Sequence, residues 1–244
     1  SGLVATNGGH AVMGLGHSPR IVTDGLVLCL DAANKRSYGG SGTTWTDLKG
    51  GNNGTLTNMD ATNFSSDNGG IFSFDGTNEH IVGSIASSTF TSAHSICCWF
   101  YRISRTQWSA LFSNNVNTTS CSILTFIDNT DSLGTNQAGV SPTAIAVDLG
   151  ADHFNKWIYA AITYAGVSSG STVSVYAYKS GSLLTSSGSL YWNMSSVSSY
   201  YIARHWAGGN QIHNGYMSQV SVYNRALSAD EIRQNYLATK ERYA

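Results

Sequence analysis

Apolar and polar residues alternate along short runs through most of the chain. In "SICCWFY" (95–101), Ile96, Cys98 and Phe100 fall on one side, with Cys97, Trp99 and Tyr101 on the other. In "WIYAAITY" (157–164), Ile158, Ala160, Ile162 and Tyr164 oppose Trp157, Tyr159, Ala161 and Thr163. A period of two is the signature of a strand packed on a core. Similar runs recur at 25–32, 54–59, 70–76, 80–84, 109–114, 122–128, 144–149, 172–181, 200–205 and 216–224. Turn clusters such as "GGNNG", "DNGG" and "DGTN" stand between them. Both prolines, Pro19 and Pro142, lie outside the runs. The pattern changes only at the end, where Ile232, Tyr236 and Leu237 follow helical spacing. Ser228 with Glu231 three positions on predicts a capping box at that helix's start. The whole predicts an all-β fold, a sandwich or jelly roll, closed by a short C-terminal helix. The aliphatic sets belong between the sheets; the aromatic sets would then cover an outer, concave face, although the same alternation is equally compatible with a buried Trp.

Composition narrows the function classes. Charged residues make up 11% of 244, against ~25% in ordinary soluble domains, so Ser, Thr, Asn and Gly must build the surface. Net charge is -1 and the 13 Lys and Arg are scattered, which predicts no nucleic-acid partner. No apolar run approaches the ~18 residues of a membrane span, so no membrane insertion is expected. Residues 1–22 hold Gly2, Gly8, Gly9, Gly14 and Gly16 without a period. They read as an extended N-terminal arm, ahead of a sandwich at 23–227 and a helix and tail at 228–244. The arm lacks the basic and apolar regions of a secretory signal. Cys29, Cys97, Cys98 and Cys121 each sit in an apolar run and read as buried small hydrophobes. A disulfide would require Cys29 or Cys121 to face one of the adjacent pair across the sandwich.

Several stretches carry a resemblance. "GLVLCLDAANKRSYGGSGTTWTDLKGGNNGTLTN" (25–58), "FDGTNEHIV" (74–82), "SICCWFY", "KWIYAAITYAG" (156–166) and "VYNRALSADEI" (222–232) together resemble a laminin-G-like, or concanavalin A-like lectin/glucanase, jelly roll. The opening motif looks most like modules of tailed-phage virion structural proteins. That resemblance implies a non-enzymatic structural or adhesion module, such as a capsid decoration, head-fibre or tail-associated protein. It would dock on capsid or tail lattice proteins, assemble as a homo-oligomer and touch host polysaccharide. Its place would be the virion surface, after assembly in the host cytoplasm; a dedicated extracellular lectin is the alternative. Relatives commonly carry an Asp-Glu pair before the last strand's Val, where this chain has Ser218 and Gln219. Relatives often bind calcium at a rim, which makes Asp75, Asn78 and Glu79 the candidate ligands of a structural calcium. The plain reading of the same turn is an Asx-turn, with Asp75 bonding its own backbone.

Catalysis finds little support. Glycoside hydrolysis needs two facing carboxylates, and Glu occurs only at Glu79, Glu231 and Glu241. Asp128 and Asp131 read as loop residues. The seven histidines form no paired ligand spacing. No catalytic residue is expected, and a glycoside hydrolase is the weakest alternative. Binding has better material. Arg204, His205, Trp206, Asn210 and His213 cluster around a Gly-Gly turn, and Arg105 and Trp108 offer a second aromatic-and-polar loop. Such mixtures serve sugar or protein contact. In the arm, Leu3, Val4, Val12, Met13 and Leu15 offer apolar surface for docking. Deleting residues 1–20 is expected to leave the sandwich folded by circular dichroism. The same deletion should abolish incorporation into particles, measured by co-sedimentation; unchanged incorporation would refute the docking role.

Overall fold

The computed structural model describes residues 19–105, 109–114, 123–126, 130–136, 144–168, 170–190, 197–205 and 212–243. These form two antiparallel sheets packed face to face, as the alternation predicts. The first sheet runs β14 (Ser182–Leu190), β13 (Ser171–Lys179), β12 (Trp157–Tyr164), β7 (His94–Arg102), β16 (Asn214–Tyr223), β5 (Ile71–Asp75), β4 (Phe64–Ser65). β1 (Leu26–Asp31) also pairs with β16, along the half that β5 leaves free. The second sheet runs β11 (Ala144–Asp148), β10 (Ser132–Asn136), β9 (Ile123–Phe126), β8 (Ala110–Ser113), β15 (Ser199–Ile202), β6 (His80–Ser84), β3 (Gly54–Thr57), β2 (Thr44–Trp45). Ile96, Cys98, Phe100, Ile158, Ile162, Val220 and Val222 meet Ile81, Phe112, Leu124, Tyr200 and Ile202 in the core between them.

The opposite face of the first sheet is apolar too. Cys97, Trp99, Tyr159, Ala161 and Tyr223 form a second cluster with Leu26, Cys29, Leu227 and Ile232. Antiparallel sheets usually leave one face to water. Here helix α1 (Ala229–Thr239) lies over part of that face and seals it. The capping box is as the sequence predicts: Ser228 Oγ accepts from the Glu231 N–H, and Glu231 accepts from the Ser228 N–H. Arg225 grips the same carboxylate at 2.6 Å. Beneath the helix, Trp99 Nε1–H donates to Thr239 Oγ1 at 2.8 Å. Asn235 clasps both ends of the chain. Its Oδ1 accepts from the Val22 N–H at 2.7 Å while its Nδ2–H donates to Tyr223 Oη at 3.0 Å.

Cys29, Cys97 and Cys98 are buried and unbridged, and Cys121 lies outside the described residues. Burial pushes the Cys29 and Cys97 thiols up to about 12, which makes them poor nucleophiles. Four strands escape the sequence reading: the two-residue β2 and β4, and the longer β10 and β14. β14, "SLLTSSGSL", looks like a turn cluster because Ser and Gly dominate it; β10, "SLGTN", is short and polar for the same reason. Tertiary pairing overrides their weak propensity. Replacing Asn235 by Ala strands the Val22 N–H and leaves Tyr223 one partner poorer. Urea unfolding should register a loss of about 2 kcal/mol, the cost of leaving a buried polar group unpaired.

Candidate functional site

Where α1 ends, the aromatic face of the first sheet opens into a cleft of about 430 Å³. Its floor is a row of side chains at one register across neighbouring strands: Trp157 on β12 opposite Tyr101 on β7, Tyr101 opposite Tyr216 on β16, Tyr216 opposite Ser73 on β5. Residues paired this way share a sheet face. The Trp157 and Tyr101 ring centroids lie 5.6 Å apart, and those of Tyr101 and Tyr216 5.3 Å, each pair tilted. At ~4.8 Å between strands the row extends roughly 14 Å. All three rings are partly exposed, unlike Trp99 two positions along β7, which the helix covers.

Polar side chains make the wall. Asn63, Ser65, Asp67 and Asn68 come from the segment joining β3 to β5. A short 3-10 turn, Ala61–Asn63, is capped reciprocally by Asp60 and Asn63, and Asn63 Nδ2–H donates to Ser73 O at 3.2 Å. Asn68 Nδ2–H donates to Arg242 O at 2.7 Å, tying the wall to the chain's tail. Gly70 lets this segment press on β1. Its φ is 155°, and a Cβ there would stand 2.1 Å from Ala32 O. On the far side of Trp157 a smaller hollow of about 280 Å³ is lined by Tyr178, Tyr236, Lys240, Glu241 and Tyr243. Arg242 holds the tail in place by reaching both oxygens of buried Asp31, at 2.8 and 2.9 Å.

The described loop residues singled out from sequence lie elsewhere. Trp108, Trp206 and Asn210 are outside the described residues, as are Leu3, Val4, Val12, Met13 and Leu15. His213 is fully buried, its ring set between Ser109 Oγ (3.1 Å) and Tyr101 O (3.2 Å), so it contacts no ligand at the surface. His205 is buried as well, its carbonyl accepting from Ser113 Oγ–H. Hydrogen bonds to Ser109, Ser113 and Tyr101 tie both inward. Arg204 packs against the His80 ring at 3.3 Å. Arg105 is exposed and engages Asp131 bidentately, at 3.0 and 2.5 Å, and that pair holds the Asp131 carboxyl below its usual range.

The Asp75 turn follows its plain reading. Asp75 Oδ1 accepts from the Thr77 N–H at 2.7 Å, and Glu79 Oε2 from the Asp75 N–H at 2.7 Å. The Asn78 carbonyl accepts from Asn58 Nδ2–H. Asp75 titrates low because of its hydrogen bond with Glu79, and burial holds Glu79 high. The turn thus spends its oxygens on itself, a poor fit to a calcium site, and no group of three metal-ligating side chains converges among the described residues. The cleft is therefore the site that sequence reasoning left unassigned. Tyr101 and Trp157 were on the predicted outer face, but Tyr216 and the 60–70 wall gave no signal that they join it. Matching registers across three distant strands was the missing step.

A family model described as the concanavalin A-like lectin/glucanases superfamily matches residues 74–233. The chain belongs to this superfamily. No curated protein sequence matches this superfamily member. Among solved structures, Trypanosoma rangeli sialidase in complex with the inhibitor DANA is 15% identical, with a TM-score of 0.63 over 93% of this chain and 36% of the sialidase. Domain 4 of an extracellular arabinanase from Geobacillus stearothermophilus, in complex with arabinotriose, is 13% identical, with a TM-score of 0.51 over 91% of this chain and all of that domain. At these identities the likeness is one of fold. The chain spans about a third of the sialidases it matches.

Burial also gives this superfamily member a pH liability. It depresses His94 to about 4 and His213 to about 3, against 6.5 for an exposed imidazole. Above pH 6.5 both folded and unfolded chains hold these rings neutral; below it only the unfolded chain takes up the protons. Stability should therefore fall as pH drops from 6.5 towards 4. About 2 kcal/mol per ring is expected between pH 7 and pH 5. Denaturant titrations of the parent and of His94→Phe should show a shallower pH slope in the variant.

Proposed function

We propose that the chain is a non-enzymatic glycan-binding module that lays a neutral oligosaccharide along Trp157, Tyr101 and Tyr216. One observation carries the reading: three partly exposed rings in register beside a wall of Asn, Ser and Asp side chains. Aromatic faces accept the C–H side of a pyranose or furanose, and short polar side chains bond its hydroxyls. A floor of roughly 14 Å takes two to three sugar units at the strand spacing used above. The described lining holds no Lys or Arg, and its one carboxylate is Asp67. An acidic sugar would meet Asp67 without a counter-charge, which favours neutral ligands. Hydrolysis by the usual two-carboxylate route would need a second acid facing Asp67, so the cleft is read as holding its ligand rather than cutting it.

Within that reading the module serves adhesion at a virion surface, with residues 1–22 docking on a capsid or tail lattice and the cleft turned to host polysaccharide. Support comes from the resemblance of the opening motif and from the anchorage of the arm's base. Gln234 Nε2–H donates to Arg20 O, and Tyr223 Oη–H to Val22 O. An extracellular lectin would use the same cleft without a lattice.

Calorimetric titration with arabinotriose and with sialic acid, each present in a solved structure that this chain matches at least in part, together with a glycan array, tests the binding. Trp157→Ala should weaken the best neutral ligand at least tenfold, about 1.4 kcal/mol, with an unchanged circular dichroism spectrum. Absence of any glycan binding at millimolar concentration, or equal binding by the variant, would remove the proposal.

A further inference from the structure

The margins of the two sheets differ sharply. β4 and β2 have two residues each and β11 has five, ending at Asp148. β14 has nine, in unbroken register with β13, and carries neither charge nor proline. Bulges, charges and prolines are what blunt a free margin against pairing with another strand. β14 has none of them.

Its backbone parity is fixed by the turn that starts it. Ser180 and Gly181 both have positive φ, 49° and 82°, the geometry of a two-residue primed hairpin turn. The flanking pair Lys179 and Ser182 is then a hydrogen-bonded pair, and alternate residues of β14 bond β13. The intervening residues Leu183, Thr185, Ser187 and Ser189 direct four N–H and four C=O groups to the outer margin, where no described strand pairs with them.

We propose that two copies of this chain pair through β14, antiparallel about a twofold axis at Ser186. That register sets Leu183 opposite Ser189 of the partner subunit, and Thr185 opposite Ser187 of the partner subunit. It is the twofold antiparallel register that engages all eight outward groups; a slip of two residues leaves some unpaired. Self-complementarity extends to the side chains. Leu183, 43% exposed, meets a small hydroxyl residue, and no charge faces its own copy. Because the axis stands perpendicular to the sheet, the outer faces of both copies lie on the same side. Counting strands at ~4.8 Å, the two aromatic rows stand about 34 Å apart across the sheet. Because each row is level with the hairpin turn, they are also offset along the strands by about ten residues at ~3.3 Å, a separation of about 47 Å in all. A dimer would then hold two clefts towards one surface, raising the effective concentration of the second after the first engages. The pairing itself does not depend on what the cleft binds.

Sedimentation equilibrium of the full chain, from low micromolar to submillimolar concentration, should show a reversible dimer. The double variant Thr185→Lys/Ser187→Lys should be monomeric with an unchanged circular dichroism spectrum, because each lysine would face another. Its Thr185→Glu/Ser187→Glu counterpart should also be monomeric alone, and mixing the two should restore a heterodimer. Ser187→Pro removes one outward donor without touching the β13 ladder, and should weaken the dimer at least tenfold. A parent chain that is monomeric throughout, a dimer that survives the lysine pair, or a mixture that stays monomeric would overturn the proposal. Glycan titration of the same variants stays at parental affinity for a soluble trisaccharide if the cleft acts alone, so a failed dimer and a failed cleft give different results.

Discussion

The middle of the first sheet is apolar on both faces, and much of the molecule follows from that constraint. β7 carries Ile96, Cys98 and Phe100 into the inter-sheet core and Cys97 and Trp99 to the other side, and neither set can be left in water. Each large side chain so buried contributes on the order of 1.5–3 kcal/mol, which makes covering the second face worth a helix. α1 supplies the cover, with Ile232 beneath it and Tyr236 against Trp99. Tyr243 extends the cover by stacking on Trp99 at 4.1 Å. The cover stops short of Tyr101, one step along the same strand. The cleft is what remains of a face built to be buried, and its aromatic floor needs no separate origin.

The elements that hold the cover in place explain residues whose purpose the sequence leaves open. Asp31, in the opening family-like motif, is the buried carboxylate that receives Arg242. Ser218 stands where relatives commonly have an acid, and its hydroxyl donates to Gly70 O at 2.7 Å. A neutral bond thus steadies β16 against the 60–70 wall, beside a register shift between Met217 and Gln219. The contact is made without charge, in keeping with a chain that uses charge sparingly.

Sequence periodicity revealed the strands that alternate strongly, and the capping box located the helix to the residue. It revealed the two faces of β7 and β12 correctly, because Ile and aromatic residues mark them plainly. It failed where side chains carry no such mark. β14 is Ser-rich on both faces, so its place as a nine-residue strand comes from pairing with Val173, Val175 and Ala177 across the hairpin. His213 looked exposed because a Gly-Gly turn precedes it, yet β16 begins at Asn214 and draws it inward. The cleft was half legible. Tyr101 and Trp157 belong to one face by alternation, but only the cross-strand register brings Tyr216 and Ser73 beside them, and register is a long-range property that no local window contains.

The clasp around Asn235 has a consequence for how the domain can be carried. Pro19, Arg20, Ala238 and Arg242 line one groove, so the polypeptide enters and leaves at neighbouring points. A body whose two leads emerge together behaves like a bulb on a stem. It can be hung from a host polypeptide, or relocated by circular permutation, with little distortion at the attachment.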